Sequence, residues 1–163
     1  MARAGHAVLD RGRVWLIDPF EDQDALAAIA ELGPVAGVVQ LLDRHERDGP
    51  ELARRLGAPF LRLPGRLDGS AFEVIPVVWR RHWRELALWS PAARLLVVPE
   101  AVGTARLFAL GRPLGLHPLL RIAPRLTAFD TFAPQQLLVG HGEPLLAGAA
   151  PALTAALRRR LRP

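Results

Sequence analysis

The sequence predicts an α/β protein, and three observations carry that reading. Short apolar runs rich in Val, Leu and Ile recur along the chain. Patterns with helical spacing, each opened or closed by Asp, Gly or Pro, separate several of them. The run at residues 35–42 is so strongly apolar that it reads as a central strand buried on both faces, which an α/β sheet covered on both sides provides.

The elements follow in order. Residues 7–9 and 13–17 read as two strands around a tight Asp10-Arg11-Gly12 turn, and Asp18-Pro19 ends the second. Asp22 is placed to cap a helix through residue 32, with Leu26, Ile29 and Ala30 on one face and Gly33-Pro34 as the stop. After strand 35–42, Pro50 opens a short helix that Gly57 closes. Residues 60–63 and 72–78 read as strands, followed by an aromatic and basic stretch from Trp79 to Arg84. Residues 86–89 and 94–98 are two strands joined by a Ser90-Pro91 turn. Gly and Pro punctuate 105–134, so only short helical pieces fit there. Residues 136–140 form the last strand, and 147–161 a helix ending in Arg158, Arg159 and Arg160, where arginines complement the negative end of the helix dipole.

Composition bounds the function. With 163 residues, half of them hydrophobic, the chain suits one domain over 1–163 with a full core. The absence of cysteine excludes disulfides, thiol catalysis and Cys-rich zinc sites, and fits a cytoplasmic protein. No apolar run approaches a membrane span, and residues 1–6 lack the apolar core of a signal peptide. The net charge is +5, with arginine as the basic residue and no lysine. Asparagine and tyrosine are also missing, a bias that fits codon pressure in a GC-rich genome. The charge alone is therefore weak ground for a nucleic-acid partner.

The apolar run at 35–42 stops abruptly at Asp43, Arg44, His45, Glu46, Arg47 and Asp48. The end of a buried strand in an α/β protein is where ligands and chemistry sit. This stretch and three others together resemble the metallo-β-lactamase fold superfamily along nearly the whole chain. Residues 14–19, Val-Trp-Leu-Ile-Asp-Pro, are similar to the family's early strand end, with Phe20 where glycine is usual. Residues 37–59 resemble its strand, His-x-His-x-Asp-His loop and helix. Residues 95–104 resemble the strand that leads to a bridging aspartate, and 137–144 the late Gly-His-Gly turn. The resemblance implies an αββα four-layer sandwich: two mixed β-sheets face to face, helices outside, and a metal site at one edge.

The departures lie at the ligands. The family's loop ligands fall on Asp43, His45, Arg47 and Asp48, its middle histidine near Arg81 beside His82, its bridging aspartate on Glu100, and its late histidine on His141. A guanidinium is always charged and cannot ligate a metal. Arg47 and Arg81 are instead expected to fill the space of an ion and to pair with Asp43, Asp48 and Glu100. This predicts a protein that has lost the catalytic di-metal centre, is not an active metallo-hydrolase, carries no cofactor, and acts as a non-catalytic binding or scaffold protein. Its expected partners are a second copy of the chain or a small anion between Arg47 and Arg81. The alternative keeps one zinc, iron or manganese ion on Asp43, His45, Asp48, Glu100 and His141 and hydrolyses an ester, thioester, lactone or phosphodiester. A second alternative uses Trp79-Arg80-Arg81-His82-Trp83-Arg84 to bind single-stranded nucleic acid by stacking and phosphate pairing.

Plainer roles compete. Asp43 and Asp48 can cap the following helix or pair with Arg44 and Arg47. Glu100 reads by default as a loop residue paired to an arginine. His45 can be a hydrogen-bonded structural histidine. The tryptophans of 79–84 can cover the emptied site or a dimer surface. His6, His82 and His117 have no evident partner and read as ordinary. No Gly-x-Ser-x-Gly elbow or P-loop is present, which leaves serine hydrolysis and nucleotide cradling unsupported.

Overall fold

The computed structural model describes residues 3–122 and 126–158. Strands β1 (His6–Asp10), β2 (Arg13–Ile17), β3 (Val35–Gln40) and β4 (Phe60–Arg62) form one sheet in that order. Its first pair is antiparallel and the other two are parallel. Strands β5 (Glu73–Arg80), β6 (Trp83–Ser90), β7 (Leu95–Val98) and β10 (Gln136–Val139) form the second, ordered β10-β7-β6-β5, with β10 and β7 parallel and the rest antiparallel. A small antiparallel pair, β8 (Val102–Gly103) and β9 (Gly115–Leu116), stands apart. The helices are α1 (Gln23–Leu32), α2 (Gly49–Leu56), α3 (Arg106–Ala109), α4 (Pro118–Ile122) and α5 (Ala149–Leu157).

Alternation along the strands builds the layers, because successive side chains point to opposite faces. On β2, Trp15 and Ile17 join the cluster between the sheets, while Val14 and Leu16 face outward to α2. On β7, Leu95 and Val97 face inward and Leu96 and Val98 face α5. The central cluster, Trp15, Ile17, Val39, Leu41, Leu86, Leu88, Leu95 and Val97, is the contact between the two sheets. Ala53 of α2 closes one outer face, and Leu153, Ala156 and Leu157 of α5 close the other. The result is the αββα sandwich.

Local chemistry sets the boundaries. Arg11 and Gly12 both have positive φ (50° and 74°), the two-residue turn that matches strand twist. Asp22 caps α1, its Oδ1 accepting from Ala25 N at 2.9 Å. No residue of α1 is buried, and that helix rests on the sheet through half-buried Ile29. The segment 79–84 is a hairpin: β5 runs on to Arg80, Trp83 opens β6, and Arg81-His82 is the turn. Helix α5 covers a shorter span than the 147–161 expected, and residues 159–163, with most of its arginine-rich end, lie outside the described residues. Among the described residues, no helix is long and apolar enough to cross a membrane.

Candidate functional site

Strand ends at one edge of the sandwich converge on a cavity of about 240 Å³ lined by Arg3, Arg44, His45, Arg47, Glu100 and His141. Each arrives for a local reason. Arg44, His45 and Arg47 lie in the loop after β3, and Glu100 in the turn after β7. His141 follows β10, between two glycines that its turn requires. A Cβ at Gly140 would collide with the Pro99 carbonyl oxygen, and Gly142 has φ 97°. Residues 3 and 4 run antiparallel beside this turn, with Ala4 N donating to Gly140 O at 2.9 Å, and so bring Arg3 to the cavity.

His45 is buried and held from behind. Its Nδ1 lies 3.2 Å from Oδ2 of Asp18, whose Oδ1 accepts from Leu41 N at 2.9 Å. A carboxylate on Nδ1 fixes the ring so that Nε2 faces the cavity. That Nε2 lies 3.7 Å from Glu100 Oε2. Glu100 also meets Arg44 Nη2 at 3.4 Å and His117 Nε2 at 3.4 Å. Burial alone would raise the Glu100 carboxyl. The hydrogen bond from His117, the charges of Arg44 and His45 and the Arg44 contact outweigh that and hold it at about 2. Glu100 is therefore paired to an arginine, as its default reading had it, and the arginine is Arg44. His141 stacks on Phe108, with ring centroids 5.4 Å apart, and meets His45 edge-on at 5.8 Å.

Arg47 departs most from the expectation. Its Nη1 donates to the backbone oxygens of Ala4, at 3.0 Å, and Asp18, and makes no ion pair with Asp43, Asp48 or Glu100. Its guanidinium lies 5.4 Å over the ring of Phe20. Nη2 is buried and has no hydrogen-bond partner among the described residues. Burial pushes the Arg47 pKa down; the Asp18 charge opposes this and the Arg3 charge adds to it.

The remaining candidates point elsewhere. Asp43 ties the loop to the hairpin: Oδ2 accepts from Arg84 N at 2.9 Å, and its backbone oxygen accepts from Arg62 Nη2 at 3.2 Å. Asp48 stands at the start of α2 without capping it through its side chain, because Oδ2 accepts from Glu21 N at 2.7 Å. Neither carboxylate pairs with Arg44 or Arg47. Arg81 is exposed in the β5–β6 turn and is not among the residues that line the cavity with Arg47. Trp83 is buried, beneath Arg44 at 4.8 Å and edge-on to His117 at 4.7 Å, while Trp79 is 61% exposed.

Arg3, Asp18 and His117 are site residues that the sequence reading missed. Asp18 had a signal, a carboxylate directly after a buried strand. His117 and Arg3 had none, since only the fold brings them near Glu100 and Arg47. His6, also read as ordinary, bonds through Nε2 to Val139 O at 3.0 Å.

Of the five residues that form the one-ion alternative, the structure groups His45, Glu100 and His141, each offering one ligand atom within 4.8 Å of the others. Two imidazoles and a carboxylate suit one zinc-like ion with an open position. They do not suit a pair of ions, because Asp43 and Asp48 are engaged elsewhere and Arg47 lines the space beside them.

No protein-family model and no curated protein matches the sequence. Solved structures do. DIM-1 metallo-β-lactamase superposes with a TM-score of 0.59 at 16% identity, over 95% of this chain and 84% of that one. TMB-1, at 13% identity, gives 0.51 over 94% and 83%. The apo chemotaxis sensor ODP of T. denticola, also at 13%, gives 0.55 over 86% and 78%. Two mixed sheets face to face, helices on both outer faces, a site at the strand ends and these superpositions lead to one conclusion: the chain has the metallo-β-lactamase fold.

Proposed function

We propose that this protein is a non-catalytic binding member of the metallo-β-lactamase fold, without a di-metal hydrolytic centre. The observation that carries this is Arg47. Its guanidinium lines the cavity where two ions would need ligands, and Arg3 and Arg44 join it there. Three guanidiniums in one small cavity oppose a cluster of divalent charge, and none of them can ligate a metal. The fold does not dictate hydrolysis; one superposed protein is described as a chemotaxis sensor.

Elemental analysis after incubation with excess zinc, manganese or iron, followed by desalting, tests this reading. The expected result is fewer than two equivalents of any metal and no turnover of β-lactam, ester or phosphodiester substrates. Either two bound equivalents or turnover of any of these substrates would overturn it.

A second reading is favoured by the grouping of His45, Glu100 and His141 with Asp18 behind His45. On that reading the three residues hold a single ion, which would supply Lewis acidity and a more acidic bound water. His45 and His141 would orient it, and Asp18 would keep the His45 ring in place. It predicts one equivalent of metal, falling to near zero in His141→Ala.

A further inference from the structure

We propose that copies of this chain associate head to tail, with the acidic outer face of α1 from one copy seated in a basic, apolar groove beside α5 of the next. The groove is two adjoining cavities, of about 390 and 430 Å³, that share Arg112 and Leu114. Its lining is largely apolar, from Leu116, Leu145 and the Ala152, Ala155 and Ala156 side of α5. Exposed Leu110 lines it too, and exposed Leu146 follows Leu145. Its charge has one sign. Arg112, Arg121 and Arg158 line it, and among the described residues no acidic side chain does. Residues 101–129 hold four arginines and no acidic residue. Arg121 is committed to the backbone oxygens of Leu107 and Phe108. Arg112 and Arg158 form no ion pair among the described residues. An exposed apolar surface rimmed by charge of one sign marks a binding surface and selects an acidic partner.

The chain carries such a partner on its opposite outer face. Helix α1 packs on the outer side of the β1–β4 sheet through Ile29, while α5 covers the outer side of the other sheet. Residues 20–34 hold four acidic residues and no basic one. Glu21 pairs with Arg55 and Asp22 caps the helix, which leaves Asp24 and Glu31 without an ion pair among the described residues. Asp24, Ala27, Ala28 and Glu31 recur at i, i+3, i+4 and i+7, so they form one stripe, turned away from half-buried Leu26 and Ile29. The two acidic positions stand about 10 Å apart along the helix axis, with alanines between them. Alanine lets the helix backbone approach a groove closely, and the carboxylates at either end supply the charge that Arg112 and Arg158 lack. An anionic lipid would also suit the arginines, but a concave groove receives a protruding helix better than a flat bilayer. Because the two surfaces lie on opposite faces, no copy fills its own groove. The contact is heterologous and repeats from copy to copy, closing as a ring or extending as a chain. The groove shares no lining residue with the cavity at His45, so the inference stands or falls apart from what that cavity holds.

The test is sedimentation velocity on the full chain from about 10 μM to about 1 mM, at low and high salt. The expected result is a sedimentation coefficient that rises with concentration at about 20 mM salt and falls toward the monomer value at about 0.5 M. Asp24→Arg with Glu31→Arg should weaken association about tenfold or more, and so should Arg112→Glu with Arg158→Glu; Arg81→Gln, in the exposed hairpin turn, should change it by less than about twofold. Mixing the two charge-reversed proteins should restore association, since one keeps the groove and the other keeps the helix. That restoration also shows both to be folded. A monomer throughout the range, association that either reversal leaves intact, or a mixture that stays monomeric while both variants keep the native circular dichroism would each overturn the inference. Binding of an acidic peptide or of anionic vesicles by a protein that stays monomeric would overturn it too, and would give the groove to that other ligand.

Discussion

Glu85 shows how a single residue can set the pH response. Its carboxylate is fully buried, accepting from Glu100 N at 2.8 Å, Ala101 N at 2.7 Å and Trp83 Nε1 at 2.7 Å. Burial pushes it up to about 7, against the pull of those three donors. The folded state therefore holds a proton that the unfolded chain releases near 4.5. Stability from this group is present below pH 4.5 and is lost as pH rises toward 7, by about 3 kcal/mol in all. Glu100 works the other way. Its carboxyl is held at about 2, so its contribution is complete above 4.5 and is lost as pH falls toward 2. Thermal melts across pH should peak near 4.5, and Glu85→Gln should flatten the limb between pH 4.5 and 7 even if it lowers stability throughout. A wild-type curve that rises from pH 5 to 7 would contradict the assignment.

The β5–β6 hairpin is the element whose sequence most invites a nucleic-acid reading. Its alternation divides the aromatic residues. Trp83 turns inward under Arg44 and beside His117, while Trp79 turns outward with Arg84 5.4 Å over its ring. Stacking of successive bases needs several exposed rings, and this hairpin offers Trp79. Trp83→Ala should cost about 3–5 kcal/mol, as expected for a buried aromatic. Trp79→Ala should stay within about 0.5 kcal/mol. Chemical denaturation of the two variants separates them. If Trp79→Ala were the costlier change, the inward and outward assignments would be reversed.

At the scale of the whole molecule, the three apolar clusters share strands. β2 feeds the inner cluster and one outer cluster; β7 feeds the inner cluster and the other outer one. Neither sheet can lose its partner without exposing the apolar inner face of strands whose other face anchors the outer helix layer. Residues 1–163 should therefore unfold in one cooperative step, with calorimetric and van't Hoff enthalpies that agree. Two resolved calorimetric transitions would show instead that the sheets are separate folding units.

The α/β class was legible in the sequence, because the run at residues 35–42 is apolar at successive positions and so declares both faces of its strand as buried; the four-layer sandwich came with the resemblance carried by residues 14–19, 37–59, 95–104 and 137–144. Turn and cap chemistry was legible for the same local reason: Asp22, the Arg11-Gly12 turn and Gly57 act on neighbours within a few residues. The charged residues directly after the buried run and the Gly-His-Gly turn were legible as strand-end features, and the fold brings Arg44, His45, Arg47 and His141 of those two stretches to one cavity. What those residues touch was decided elsewhere. Asp43 binds the hairpin backbone, 41 positions away, and Asp48 binds Glu21 N, 27 positions away. Arg3 reaches the cavity because the N-terminal segment lies along the turn at His141. Local pattern specifies what a residue's own element will do. The partner of a carboxylate or a guanidinium depends on which distant loops the packed sheets bring to the same edge, and no spacing within the chain encodes that.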